Sequence, residues 1–234
     1  MKHFYDELWT GKDGKAPGAG QHRRDWFHRW FLDHLINPFA RDRTTIAREM
    51  LPSGDRLLDI GCWGGEEAKA FGAFEKFKEV HGVDLIEESI KRANERGLKA
   101  KLADMNVDPL PYDDRFFDCV TLMAILEHVT DPYKVLREVH RVLKPGGTLI
   151  VSVPNVASFS NRFRVLFGRC PVTSLDPGWD GGHLHYFTPR DLKRLLGEIG
   201  FKVVGRAATG GLRLVKQLLF SLVGEFVYQC ERRA

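Results

Sequence analysis

The sequence predicts an α/β protein with a doubly wound, mainly parallel sheet. Two observations carry that expectation. From residue 56 to residue 153, short apolar runs that read as strands alternate with helical patterns. Such alternation with short loops gives parallel strands joined by right-handed crossovers. The first strand also ends in a glycine-rich loop that opens a helix, Gly61-Cys62-Trp63-Gly64-Gly65. In open sheets of this kind, ligands bind in the crevice beyond the carboxyl ends of the strands.

The elements follow in order. Residues 10–20 are rich in glycine and read as a loop. Trp26, Phe27, Trp30, Phe31 and Leu35 recur at helical spacing opposite Arg23, Arg24, Arg29 and Asp33, so a helix is expected until Pro38 stops it. A second helix is expected from Asp42 to Leu51, ended by Pro52-Ser53-Gly54. Residues 56–60 read as a strand, 66–77 as a helix and 79–83 as a strand. A helix over 87–96 follows, with Gly97 at its C-terminal cap. Residues 98–103 and 117–122 are the third and fourth strands. Asp131-Pro132 starts the next helix, because aspartate caps a helix and proline fits its first position. Lys144-Pro145-Gly146-Gly147 then turns the chain into a fifth strand, 148–153.

The rest is less regular. Phe159, Phe163, Leu166 and Phe167 line a short helix within an otherwise irregular stretch, 155–188. Residues 190–198 form a helix capped by Gly200. Residues 201–206 and 225–230 are two more strands with an amphipathic helix between them, and they form the antiparallel edge. The expected division is an N-terminal helical lid over 1–40, with Tyr5 and Trp9 folding inward, and one domain over 41–234. That domain carries a cap at about 155–188.

Composition excludes several classes. A net charge of +4 is too small to argue for nucleic acid. The four cysteines are scattered, with no paired spacing for a disulfide framework or a zinc site. The N-terminal residues lack the apolar core of a signal peptide, and no run approaches the roughly 18 apolar residues of a membrane span. A cytoplasmic protein without a transmembrane segment is expected.

The loop and the end of the second strand restrict the ligand. That strand ends in Asp84, and an acid there accepts both ribose hydroxyls of an adenosine group. A dinucleotide fingerprint fails, since Trp63 and Glu66 stand where it needs glycines. Glu66 would also face a pyrophosphate at a helix N-terminus. A phosphate-binding loop with its lysine is absent. S-adenosylmethionine has no phosphate, and its ammonium suits Asp59, directly or through water.

On these residues the chain resembles the class I S-adenosylmethionine-dependent methyltransferases. Leu58-Asp59-Ile60-Gly61-Cys62 is similar to their first motif, Val83-Asp84 to the second and Ala103-Asp104 to the third. Phe116-Phe117-Asp118-Cys119-Val120 and Leu143-Lys144-Pro145-Gly146-Gly147 are similar to two further signatures. The resemblance implies a Rossmann-like seven-stranded sheet and an enzyme that moves a methyl group to oxygen, nitrogen or carbon of a small molecule. It implies a cofactor site of Asp59, Gly61, Cys62, Trp63, Gly65, Asp84, Leu85, Asp104, Met105 and Met123. Trp63 stands where the resemblance places a second glycine. The indole either roofs the cofactor or obstructs it, and the flexible glycines around it favour a roof.

On the acceptor side, Glu127 and His128 come after the fourth strand. His128 and His185 are the expected proton handlers beside Glu127, with His183 and Tyr186 binding the acceptor. Asp180, His183 and His185 come nearest to a ligand set, but no metal is expected. Stretches after residue 153, notably 161–173 and 185–192, are similar to methionine-biosynthesis protein W. That likeness implies an alternative, an assisting subunit with an acyltransferase partner. A homodimer is the other association considered.

Overall fold

In the computed structural model, the structure describes residues 42–174, 176, 179–209 and 220–233. The expected lid, the aromatic helix after it and the helix joining the last two strands lie mainly outside these residues.

Helix α1, Arg43–Met50, starts where the Asp42 carboxylate accepts the Thr45 N–H at 2.7 Å. Strand β1, Gly54–Ile60, leads through the glycine loop into α2, Glu66–Ala70. The single helix expected over 66–77 is two short ones. Gly72, at φ +78°, ends the first and caps α3, Ala73–Lys76, and Phe77 already belongs to β2, Phe77–Asp84. Helix α4, Glu87–Glu95, and strand β3, Lys99–Leu102, come next. Gly97 lies one residue past the α4 cap, at φ +95°. Strand β4, Phe117–Met123, then leads to α5, Pro132–Val142, and β5, Leu143–Pro154. The fifth strand begins earlier than expected, because Leu143 pairs with Phe117 before the register shifts to Thr148 opposite Cys119. Helices α6, Phe159–Leu166, and α7, Pro189–Ile199, precede β6, Phe201–Ala208, and β7, Glu225–Arg232.

The seven strands run in the order β3-β2-β1-β4-β5-β7-β6. Neighbours from β3 to β5 are parallel, while β7 is antiparallel to both β5 and β6. Successive residues of β1 face opposite sides of the sheet, and both sides are covered. Leu57 joins a buried cluster with Ile46, Phe71 and Ile150. Leu58 joins another with Val120, Leu136 and Leu196. A nearly continuous apolar run at the strand centre, broken in β1 only by the buried Asp59, is what a doubly covered parallel sheet requires. The strand order reverses between β1 and β4, and that switch point opens a crevice at the carboxyl ends of the strands.

The 155–188 segment leaves and rejoins the sheet at one point. Asn155 bridges to Phe187 in a parallel pair, and the Asn155 amide donates to the carbonyls of Ser221 and Val223 at 3.0 and 2.8 Å. Within it, the buried Asn161 side chain pairs with both backbone groups of Val172 at 3.0 Å.

Candidate active site

A cavity of about 410 Å³ lies over the carboxyl ends of β1, β2 and β4. Its first wall is the glycine loop. Gly61 sits at φ +72° and donates to the Val83 carbonyl at 2.9 Å. A Cβ there would fall 2.2 Å from Ile125 Cδ1 and sit on a left-handed backbone, so glycine is the residue that fits without strain or a shift of Ile125. Trp63 holds a left-handed backbone, φ +48°, where glycine is ordinarily the residue of choice. Its N–H donates to Asp84 Oδ2 at 2.9 Å, and the other Asp84 oxygen accepts the Ile86 N–H at 3.0 Å. Burial pushes the Asp84 carboxyl up, and those backbone donors pull it back.

Leu85, Asp104, Met105 and Met123 also line the cavity. Asp104 Oδ1 accepts both the backbone and side-chain N–H of Asn106 at 2.9 Å. Three of the expected residues stand behind the wall. Asp59 is buried and accepts the Thr121 hydroxyl at 2.5 Å, and burial pushes its carboxyl up to about 8. The buried Cys62 thiol packs against Gly82, and burial pushes it far above the ordinary thiol range. Gly65, at φ +82°, starts α2 and donates to the Cys62 carbonyl at 2.8 Å.

The opposite wall comes from Ala124, Ile125, His128 and Val129 after β4, and from Asp176 and Gly181 of the 155–188 segment. His128 meets His183 edge to face, with ring centroids 4.6 Å apart. Burial lowers the His128 pKa to about 4. His183 Nδ1 lies 2.7 Å from the Thr173 hydroxyl, which itself lies 2.5 Å from Asp180 Oδ2. Asp180 Oδ1 accepts the N–H groups of Thr173 and Ser174 at 2.7 and 2.9 Å. The Glu127 carbonyl accepts the N–H of Leu184 and of His185, docking that stretch against the end of β4. The Glu127 carboxylate is 1% exposed. Neither of its oxygens has a hydrogen-bond partner among the described residues, and burial pushes it up to about 8.

The structure thus brings Glu127, His128 and His183 together. It leaves His185 off the cavity wall, with Nε2 3.3 Å from the Thr130 carbonyl, and Tyr186 exposed. The sequence reading missed Arg43, which lines the cavity and donates from Nε to Glu67 at 2.9 Å. One residue past a helix cap, it carried no signal. It also missed Thr173, whose partners are set only by the fold of the cap.

A seven-stranded sheet in this order, with the crevice at its switch point, defines the class I methyltransferase fold. The chain belongs to the methyltransferase domain family, whose model matches residues 26–205. It is 42% identical over 190 residues to 27-O-demethylrifamycin SV methyltransferase of Amycolatopsis mediterranei, covering 73% of this chain and 70% of that protein. It is 32% identical over 179 residues to ubiquinone biosynthesis O-methyltransferase of Bordetella avium, covering 74% and 72%. Two solved structures share the fold. An S-adenosylmethionine-dependent methyltransferase of Methanosarcina mazei is 24% identical with a TM-score of 0.58, covering 80% of this chain and 97% of that one. A [4+2]-cyclase is 20% identical with a TM-score of 0.60, covering 82% and 80%. The chain is an S-adenosylmethionine-dependent methyltransferase, and an assisting-subunit role is not favoured. No helix among the described residues is long and apolar enough to cross a membrane.

Proposed function

We propose that this chain methylates a hydroxyl of a small organic acceptor held between the end of β4 and the 155–188 segment. The oxygen target comes from the names of the two curated relatives, both O-methyltransferases. The observation that carries the cofactor placement is Asp84. Its two oxygens are fixed by the backbone N–H groups of Ile86 and Trp63, and it lines the cavity at the end of β2. A carboxylate so held keeps lone pairs for the two ribose hydroxyls.

The remaining roles follow from position. Asp104 and Met105 take the adenine end, and Gly61 and Trp63 the methionine end, with the indole as a roof. Met123 and Leu85 close the apolar sides. Asp59 acts from behind the loop, reaching the ammonium through water. Cys62 and Gly65 shape the loop. The acceptor-side polar groups are His128 and His183, where sequence alone favoured His128 and His185. The 155–188 segment serves as the substrate cap. Catalysis is mainly alignment of oxygen, methyl carbon and sulfur in a site closed to water.

Calorimetric titration with S-adenosylhomocysteine tests the cofactor placement. Wild type should bind, and Asp84→Ala should bind about tenfold to a hundredfold more weakly, the loss of hydrogen bonds to a charged acceptor. Equal affinity in the two proteins would remove Asp84 from the site.

A further inference from the structure

The acceptor end of the cavity holds a feature that alignment alone does not use. Glu127, His128 and His183 each offer one ligand atom, and these atoms lie within 4.8 Å of one another. Neither imidazole hydrogen-bonds to Glu127, whose two oxygens are buried without a partner among the described residues. The three residues are therefore not a histidine–carboxylate dyad for proton transfer. A buried carboxylate with no side-chain donor among the described residues is costly whether charged or neutral. The local charge makes it worse. Among the described residues, the guanidinium acting on Glu127 is that of Arg43, yet it already donates to Glu67 at 2.9 Å and lies 3.8 Å from Glu225. Among those residues one arginine thus faces three acids.

The two rings are held as ligands are usually held. The Thr173 hydroxyl has a single proton, and the short contact to the Asp180 carboxylate takes it. It can then only accept from His183 Nδ1, so Nδ1 carries the ring proton and Nε2 keeps its lone pair. His128 is tied through its ring to the Gly182 backbone carbonyl. A second group that fixes the tautomer and ring plane is the usual company of a metal-binding imidazole.

We propose that Glu127, His128 and His183 bind a zinc-class divalent ion beside the cofactor cavity, with an open position for the acceptor oxygen. Two imidazole nitrogens and one carboxylate oxygen are the donor set of zinc sites that keep a place for substrate, whereas magnesium and calcium prefer oxygen throughout. Metal–ligand bonds of about 2.0–2.2 Å place donors ~3.5 Å apart, so small side-chain rotations close the set. His128 lines the cavity, which puts the open position on the acceptor's side. This deepens the proposed O-methyl transfer and rests on that reading. The bound ion lowers the pKa of the acceptor hydroxyl, which gives up its proton to solvent as it binds, before the site closes. The oxygen lone pair forms the new O–CH₃ bond. The old C–S pair returns to sulfur, and S-adenosylhomocysteine departs.

The test uses the full chain, free of any histidine tag and stripped with a chelator. Titration with Zn²⁺ should show one saturable equivalent. Co²⁺ should give the intense visible bands of a four- or five-coordinate ion. Glu127→Gln and His183→Ala should each weaken Zn²⁺ binding by about tenfold or more, with S-adenosylhomocysteine affinity held within about threefold. Wild type that binds S-adenosylhomocysteine but no stoichiometric Zn²⁺ would overturn the metal alone. So would a pale octahedral Co²⁺ spectrum, which needs no variant to fold, or undiminished Zn²⁺ binding in both variants. Stoichiometric Zn²⁺ binding without S-adenosylhomocysteine binding would instead count against the cofactor reading and leave the metal standing.

Discussion

The two walls of the cavity are built differently. The wall from β1 and β2 is made by backbone. Gly61 and Cys62 both donate to the Val83 carbonyl, and Asp84 is fixed by the N–H groups of Trp63 and Ile86. The wall from β4 and the cap, which His128 lines, is backed by side chains from segments far apart in sequence, Thr173, Asp180 and His183 on one side and Glu127 on the other. A backbone wall suits a ligand that never changes. A side-chain wall can be re-specified one residue at a time, which suits an acceptor that differs among enzymes of one fold.

The largest expected effect breaks the first wall. Gly61→Val puts a branched side chain into a left-handed position already filled by Ile125. Strain and overpacking together should cost ~3 kcal/mol or more. Denaturant unfolding should show the loss, and S-adenosylhomocysteine binding should vanish with it. A stable variant that binds would mean the loop is softer than its hydrogen bonds indicate.

Thr173→Val acts on the second wall alone. It removes the hydroxyl that orients His183 while keeping the side chain's shape. Turnover should fall by about tenfold to a hundredfold, the usual cost of losing such an orienting group. Affinity for S-adenosylhomocysteine should stay within about twofold, and Thr173→Ser should restore most of the activity. Equal losses in binding and turnover would show that the walls are coupled.

Asp59→Asn examines the support behind the first wall. Asp59 ionises near the ordinary carboxylate value when unfolded, but only near pH 8 in the fold, because burial disfavours its charge. Its raised pKa therefore costs stability progressively as pH rises from about 4 to about 8. The asparagine variant escapes that loss. Its advantage in denaturant unfolding should be small near pH 4 and reach roughly 1–3 kcal/mol above pH 8. A constant difference across that range would mean Asp59 is ionised throughout.

The smallest effect concerns Trp63. Relief of its left-handed strain by glycine is offset by the greater freedom of the unfolded chain, so Trp63→Gly should change stability by less than ~1 kcal/mol. If the indole roofs the cofactor, affinity for S-adenosylhomocysteine should drop a few-fold. A tenfold gain would show that it obstructs.

The same contrast explains how much the sequence disclosed. Strand positions, crossovers and the loop were legible because local patterns encode them. A short apolar run ending in glycine marks β1, and the capping Asp131 marks the start of α5. Asp84 was legible because its position at a strand end is itself the signal. The short helices around Gly72 were not, since a glycine inside a helical pattern does not say whether it bends or ends it. On the cap, His183 and His185 share one face of an extended segment in the sequence reading. The turn at Asp180 and Gly181, both at positive φ, leaves His183 beside His128. His185 is left against Thr130. No local pattern distinguishes the two.

The bridge between Asn155 and Phe187 bears on how such an enzyme diversifies. The whole excursion departs and returns at adjacent points on the sheet, so its ends are held together whatever lies between them. Changing the length of a loop already closed at its base costs little chain entropy. The excursion is thus a cassette, exchangeable between relatives while the sheet and its cofactor wall stay untouched. An exchanged cassette must bring its own equivalents of Thr173, Asp180 and His183, because those residues serve a partner, Glu127, that remains behind.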